Sequence, residues 1–437
     1  MSTHSKETTQ TYAENTASEI ELRVRASEPA SEDTQLETGA SQIAPDNAVS
    51  LPPMDGGFDA WAYLGSAFLL EMVIWSYPST YGVYLQYYST HAFPGQTSML
   101  ANVGSIANGL LHMSSVAVLL IGNRYPWYKR HTMGAGLAIA VAGLVGAANS
   151  TKPWHLVLTQ GVLFGIGGSV GGVIMPLAVE TGLNRYGPKA TLIFMALLLV
   201  VIAVPCSRYL KPRLPVARSV APASFDTQFA RTSSFWILFV FNALQGLASL
   251  IPSLYIPTFT SDLNLGTKAG VVVLSIMYGA SAPGYIVMGW LSDRFDVRYS
   301  ILLCSIGSGL AVLLLWGLAK SISVLIVFSC FYGFFSSSWY ALWPRFTAIT
   351  ADNASQASSI WSIFVAGKGL GNFFSAPIAT ALLHPWQLTN KPGSAYGLKG
   401  YGPLILFTGL SLLATSSASL YRGARIPFLR RLVEILS

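Results

Sequence analysis

The chain has 437 residues, of which 52% are hydrophobic and only 10% are charged. This amount of charge is too small to cover a soluble globular protein of this size, so the composition predicts an integral membrane protein whose surroundings are a lipid bilayer. The net charge of +7 does not indicate nucleic-acid binding, because the basic residues lie in short loops between apolar runs, where they orient helices.

The N-terminal segment, residues 1–54, is polar and rich in Ser, Thr and Glu. It has no apolar stretch of the kind that forms a signal peptide. We predict that it is a disordered cytoplasmic tail.

The first apolar run extends from Trp61 to about Tyr88 and follows the residues Asp-Gly-Gly-Phe-Asp-Ala-Trp, which begin at Asp55. This D-G-G-x-x-A-W pattern resembles the first-helix signature of the monocarboxylate porter branch of the major facilitator superfamily, especially its fungal members. The resemblance implies an all-α membrane protein built as a helical bundle of two halves. Members of the family have twelve membrane crossings.

The resemblance also implies a division of the chain. We expect an N-terminal helical half at 55–206, a cytoplasmic linker at 207–233, a C-terminal half of six helices at 234–421, and a basic cytoplasmic tail at 422–437.

The first half contains an irregularity in its count of crossings. Runs at about 98–121 and 133–148 flank a strongly basic loop, which the positive-inside tendency places in the cytoplasm. Two further runs, at 154–182 and about 190–204, then precede the basic linker, although an odd number of crossings is needed there.

Two explanations for this even number of runs remain open. In the first, the family's fourth and fifth helices are fused in this chain, through a natural deletion or an error in the gene model, which leaves about eleven segments. Alternatively, the run at 154–182 is re-entrant, bending at 165–169 and returning to its own side of the membrane while other parts of the protein shield its backbone.

The second half has six regular apolar runs and a charged turn between the second and third of them. The runs are at 236–256, 271–290, 301–319, 324–342, 360–383 and 404–420. The turn contains Gly289, Asp293, Arg294 and Arg298, spaced G-x-x-x-D-R-x-x-x-R as in the loop signature of the superfamily. The resemblance implies that Asp293, Arg294 and Arg298 tether helix ends as a conformational latch; the alternative is a solvated turn.

Charged residues at membrane depth are costly, so each one must be functional or paired. Lys368 lies in the middle of an apolar run, and Asn372 shares its helix face at i+4. We predict a substrate or gating role for both; the alternative is a structural pairing of Lys368. Glu71 is the acidic candidate for coupling to protons. Its alternative role is that of a buried partner of Lys368.

Aromatic and polar residues of several runs are candidates to line a route between the halves, with Tyr278, Trp339 and Tyr340 foremost. The others are Trp75, Tyr77, Gln86, Asn108, Asn242, Gln245, Tyr332 and Trp343. For Arg345, snorkelling to the cytoplasmic surface is a sufficient explanation.

Three charged residues of animal monocarboxylate carriers have no counterpart here. The matching positions are Ser79, Ser281 and Tyr285. We therefore expect a neutral or larger amphipathic solute, bound by aromatic faces and hydrogen bonds.

These observations together predict a secondary transporter, working by alternating access, of a monocarboxylate-like compound or a secondary metabolite. The open alternatives are an efflux pump for the product of a biosynthetic gene cluster and a non-transporting sensor or scaffold. We expect no enzymatic activity, cofactor or metal, because no cluster of His, Asp or Cys occurs at membrane depth. The expected location is the plasma membrane, with an internal membrane as the alternative.

Overall fold

The computed structural model describes residues 57–125, 129–164, 175–209, 228–351, 354–383, 396–397 and 400–421, and the regular structure in these ranges is helical. The predicted tails at 1–54 and 422–437 lie outside the described residues. Seven of the described segments are long and apolar enough to cross a bilayer: 131–148, 185–206, 233–262, 268–294, 297–316, 322–350 and 402–420.

The described helices of the first half overlap the predicted apolar runs, and the last of these helices extends over parts of two runs. The helices are α1 (Phe58–Ile74), α2 (Ser76–Tyr87), α3 (Thr97–Arg124), α4 (Lys129–Ala148), α5 (Pro153–Leu156), which continues as a π-helix over Val157–Leu163, and α6 (Met175–Cys206). With 28 residues, α3 is longer than the roughly 20 residues that a crossing needs.

Six helical elements correspond to the six runs predicted in the second half. They are α7 (Ser233–Asp262), α8 (Thr267–Arg294), α9 (Val297–Leu310) with a π-helical extension, α10 (Ile322–Ser337), α12 (Ala354–Leu383) and α13 (Gly402–Ala414). Each except α12 contributes to one of the segments that are long and apolar enough to cross a bilayer. A 3-10 turn joins α10 to a short helix, α11 (Trp343–Thr350), and another extends α13 to Leu420.

The run predicted at 154–182 is described on either side of residues 165–174, which lie outside the described ranges. The chain is helical over residues 153–163 and again in α6. Within α6, Gly187 adopts φ 77° and ψ 172°, a break just before Pro188. This break separates the run at 154–182 from the run at about 190–204, and the two explanations for the number of crossings stay predictions.

The described buried apolar residues form two clusters. The larger joins both halves and includes Tyr84 and Leu144 of the first half with Leu254 and Leu404 of the second. The smaller contains only residues of the linker end and the second half, from Phe229 to Tyr421. The packing core of the second half therefore continues towards the charged turn, whereas the described part of the first half has no matching cluster there.

Glycines allow the two halves to approach closely. A side chain at Gly369 of α12 would meet the carbonyl oxygen of Gly109 and the side chain of His112 on α3. Likewise, Gly82 of α2 lies against the carbonyl oxygen of Ser253 on α7. Small residues at such crossings are typical of membrane helix packing, and here they bring α3 against α12 next to Lys368 and α2 against α7.

Candidate functional site

Lys368 is the centre of a polar cluster between α7 and α12. Its side chain is only 1% exposed. The ammonium donates to Oε1 of Gln245 and to Oγ of Ser249, the latter over 3.1 Å. These two acceptors lie at i and i+4 on α7 and so share one helix face. Nζ also lies 4.4 Å from the centre of the Tyr340 ring, within the range of a cation–π interaction.

The ring of Tyr340 connects Lys368 to the first half. The imidazole of His112 on α3 is roughly parallel to it, with ring centres 6.2 Å apart, and Trp75 approaches the imidazole edge-on at 4.8 Å. Nδ1 of His112 lies 2.7 Å from the carbonyl oxygen of Asn108. A carbonyl only accepts, so Nδ1 carries the proton and Nε2 is an acceptor, without a hydrogen-bond partner among the described residues.

The groups around Lys368 are neutral. Within the described part of the chain, ion pairs join Arg298 to Asp296 and Arg345 to Asp293, and no carboxylate pairs with Lys368. The side chain of Glu71, the predicted acidic partner, lies outside the described residues. Burying an ammonium costs several kcal/mol unless an anion offsets its charge.

Two other predicted residues lie near this cluster. Asn372 is buried one turn further along α12, at 2% exposure. The hydroxyl of Tyr278 on α8 lies beside Ser253 of α7 and Ser79 of α2, so this tyrosine also contacts both halves.

Trp339 belongs to a different network. Its indole N–H donates to Oδ1 of Asn242 over 3.0 Å, and the indole of Trp343 donates to the same oxygen over 2.9 Å. The side chain is 1% exposed and packs in the smaller apolar cluster. The geometry thus gives Trp339 a packing role in this conformation and does not bring it to Lys368.

The charged turn connects helix ends. Nε of Arg345, on α11, lies 3.3 Å from Oδ1 of Asp293, and its Nη2 donates to the carbonyl oxygen of Asp293. Arg298 donates to the carbonyl oxygen of Tyr421 at 2.9 Å and lies over its ring. Arg294 instead lies over Trp290 of its own helix. Arg345, which snorkelling was expected to explain, is therefore the partner of Asp293.

A cavity of about 150 Å³ lies at the opposite ends of the helices from the charged turn. Its lining includes Gln86, Tyr255, Thr258, Asp262 and Tyr401. The hydroxyl of Tyr401 donates to Oδ2 of Asp262 over 2.8 Å. Burial and the nearby Asp262 carboxylate raise the pKa of Tyr401, so its hydroxyl remains a donor.

Ser249 and His112 belong to the central cluster but were not predicted from the sequence. Ser249 could have been found from its position one turn after Gln245 on a polar stripe of α7. His112 gave no such signal, because its neighbours in the cluster come from other helices.

Comparisons with known proteins agree with this architecture. The sequence profile of the Major Facilitator Superfamily matches residues 162–376. The MFS transporter asaE of Aspergillus flavus is 24% identical, covering 85% of this chain and 89% of its own length. The aspyridones efflux protein apdF of Emericella nidulans is 23% identical, covering 77% and 74%.

Two solved structures share the fold. The crystal structure of the nucleoside transporter NupG has a TM-score of 0.59 at 14% identity, covering 83% of this chain and 98% of that one. The D-xylose-proton symporter has a TM-score of 0.60 at 12% identity, covering 84% and 99%.

Proposed function

We propose that the chain is a secondary transporter of the Major Facilitator Superfamily, which moves a small organic solute across a membrane by alternating access. The match to the family profile over residues 162–376 and the similarity to fungal MFS transporters support this proposal. The observation that carries this proposal is the buried cluster around Lys368. It combines a charged group, hydrogen-bonding groups and aromatic faces from both halves in the middle of α12. Such convergent polar groups at the interface of two repeats are typical of a solute site.

We assign solute contact to Lys368, Tyr340, Tyr278, Asn372 and Gln245 of the predicted residues, and we add Ser249 and His112. Trp339 supports the site by holding the 3-10 turn after α10 against α7. Glu71 remains the proposed proton carrier, and proton coupling is part of the proposal. Asp293, Arg298 and Arg345 form the proposed latch, whereas Arg294 stabilises the end of its own helix.

We favour a secondary metabolite as the cargo and export as the direction of transport. We favour the plasma membrane as the location. The preference for export of a metabolite is supported by the fungal relatives, one of which is named as an efflux protein. A monocarboxylate-like solute remains the second candidate for the cargo, because the first-helix pattern resembles that branch of the superfamily. Nothing in this proposal requires an enzymatic activity.

Counterflow in proteoliposomes tests the proposal. Vesicles preloaded with a mixture of unlabelled candidate solutes are tested for uptake of each labelled compound. We expect flux of at least one solute, and we expect Lys368→Ala to reduce it by about tenfold or more. Lys320→Ala is the matched control, because Lys320 is exposed between α9 and α10 and should leave flux unchanged.

The competing candidate is a sensor or scaffold that does not transport. A correctly folded native protein that moves none of the solutes, with Lys368→Ala and Lys320→Ala indistinguishable, would favour that candidate. Fluorescent fusions in a fungal host would test the plasma-membrane location separately.

A further inference from the structure

We propose that the cavity opposite the charged turn binds a small organic cation, whose ammonium group pairs with Asp262. The lining includes Gln86 of α2 and Asp262 of α7, so the two halves both contribute to it. Asp262 follows Ser249 by 13 positions along α7, which is roughly 20 Å at ~1.5 Å per residue. The cavity is therefore distinct from the central cluster, and the inference does not depend on the proposed function.

Asp262 gives this cavity a negative charge. Of the described residues that line it, Asp262 alone is charged, and no cationic side chain in the described part of the chain forms an ion pair with it. Its Oδ2 accepts from the hydroxyl of Tyr401 over 2.8 Å. A carboxylate can accept several hydrogen bonds, so one neutral donor leaves its charge and most of its acceptor capacity for a ligand.

Hydroxyl groups in the lining have already used their protons. Ser89 and Thr90 donate to the carbonyl oxygen of Gln86 over 3.0 and 2.8 Å, and Thr258 donates to that of Tyr255 over 2.8 Å. A hydroxyl whose single proton is bound in this way can only accept further hydrogen bonds. An ammonium group offers three donors and no acceptor, so it matches this lining in both charge and hydrogen bonding.

Gln86 adds a requirement for an acceptor on the ligand. Its side chain is 5% exposed, and Nε2 has no hydrogen-bond partner among the described residues. A buried donor without a partner is unfavourable, and a ligand oxygen next to this amide would remove that cost. The volume of about 150 Å³ equals roughly five waters at ~30 Å³ each. The preferred class is thus a short ammonium compound with an oxygen acceptor, such as an amino alcohol.

A metal ion fits the same lining less well. Hard metal cations take six or more oxygen ligands, usually with several carboxylates among them. The described residues contain no group of three or more His, Cys, Asp or Glu side chains that could hold a metal. The amide N–H groups of Gln86 would also repel a metal cation, whereas they can donate to the oxygen of an amino alcohol.

Thermal unfolding of the purified full-length chain in detergent, in an amine-free buffer at pH 7, tests the proposal. The probes are ethanolamine, propylamine, which lacks the oxygen, and ethylene glycol, which lacks the charge. A ligand that binds the folded state raises Tm with concentration. We expect ethanolamine to bind at least tenfold more tightly than ethylene glycol, with propylamine between them. Equal shifts with ethanolamine and ethylene glycol, or no shift with either amine, would overturn the proposal. A shift with sodium or calcium chloride as large as that with ethanolamine would also overturn it and assign the cavity to a metal ion.

Two variants locate the binding in this cavity. Asp262→Asn retains an acceptor for Tyr401 but removes the charge, so we expect it to lose the preference for ethanolamine over ethylene glycol. Gln86→Met removes the amide donor, so ethanolamine and propylamine should then bind equally. Asp59→Asn is the matched control, because Asp59 is exposed in the first turn of α1, and it should bind like the native chain. Retention of the preference in Asp262→Asn would show that this carboxylate is not the partner.

Binding in this cavity and transport through the central cluster are measured separately. Counterflow without stabilisation by ethanolamine would reject the second site and keep the transporter. Stabilisation that depends on Asp262, without counterflow of any solute, would reject transport and keep a cation-binding membrane protein.

Discussion

At the scale of single residues, Asn242 shows how one buried amide holds three helices together. Its Nδ2 donates to the carbonyl oxygen of Phe364 on α12, and its Oδ1 accepts from Trp339 and Trp343. The side chain is fully buried. Polar groups buried in this way are costly when any partner is removed.

We predict that Asn242→Leu destabilises the protein by about 2–4 kcal/mol, because two indole N–H groups and one carbonyl lose their partner. The measurement is unfolding in detergent by tryptophan fluorescence. Asn149→Leu is the control, since Asn149 is exposed and bonds only within its own helix end. A change no larger than that of the control would show that the network contributes little.

Lys368 could be predicted from the sequence because a lone ammonium in an apolar run is conspicuous. Its partners could not be assigned in the same way. Gln245 was one of many polar candidates, and His112 was isolated along the chain. Periodicity along one helix gives the face that a residue occupies, but it does not give the helix that this face meets. The latch shows the same limit, since Arg345 lies 52 positions from Asp293.

At the scale of elements, the contact of α7 with α12 depends on glycine. A side-chain carbon at Gly371 would collide with the carbonyl oxygen of Ala243, and one at Gly246 would collide with the carbonyl oxygen of Lys368. These backbones can approach only because both residues lack a Cβ atom. The same close approach brings Gln245 and Ser249 within reach of the lysine.

We therefore predict that Gly371→Ala separates α7 from α12 and destabilises the protein by about 1–3 kcal/mol, the usual cost of overpacking. Flux should fall with it. Gly279→Ala on α8 is the control, because open space surrounds that position. Thermal unfolding and counterflow of both variants check the prediction, which fails if the two alanines behave alike.

The ion pair between Asp293 and Arg345 should affect the conformational cycle more than stability. Both side chains are partly exposed, and such pairs contribute less than ~1 kcal/mol. We predict that Asp293→Asn leaves Tm nearly unchanged but alters the transport rate several-fold. The exchanged pair, Asp293→Arg with Arg345→Asp, should restore the rate. A rate unaffected by Asp293→Asn would indicate a solvated turn.

Apolar runs predicted the long helices well, because length and hydropathy determine which segments cross a bilayer. The sequence left two alternatives for the run at 154–182, since its apolar length is that of one crossing. The break at Gly187, with its positive φ, appears only in three dimensions.

At the scale of the whole molecule, the course of the run at 154–182 determines the membrane topology. If this run is re-entrant, Thr151 and Arg185 lie outside, whereas Tyr299 lies in the cytoplasm. We predict that single cysteines at Thr151 and Arg185, in a variant without the three native cysteines, react with an impermeant maleimide on intact cells. A cysteine at Tyr299 should react only after permeabilisation. Labelling of Arg185 only in permeabilised cells would exclude the re-entrant arrangement.

The position of Tyr340 has a consequence for any motion between the halves. The ring and Lys368 belong to the second half, whereas the imidazole that faces the ring belongs to the first. In the proposed rotation of the halves against each other, the ring of Tyr340 would stay next to Lys368 and move away from His112. The tyrosine thus has one permanent and one temporary neighbour, so the distance between residues 112 and 340 should record the stage that the cycle has reached.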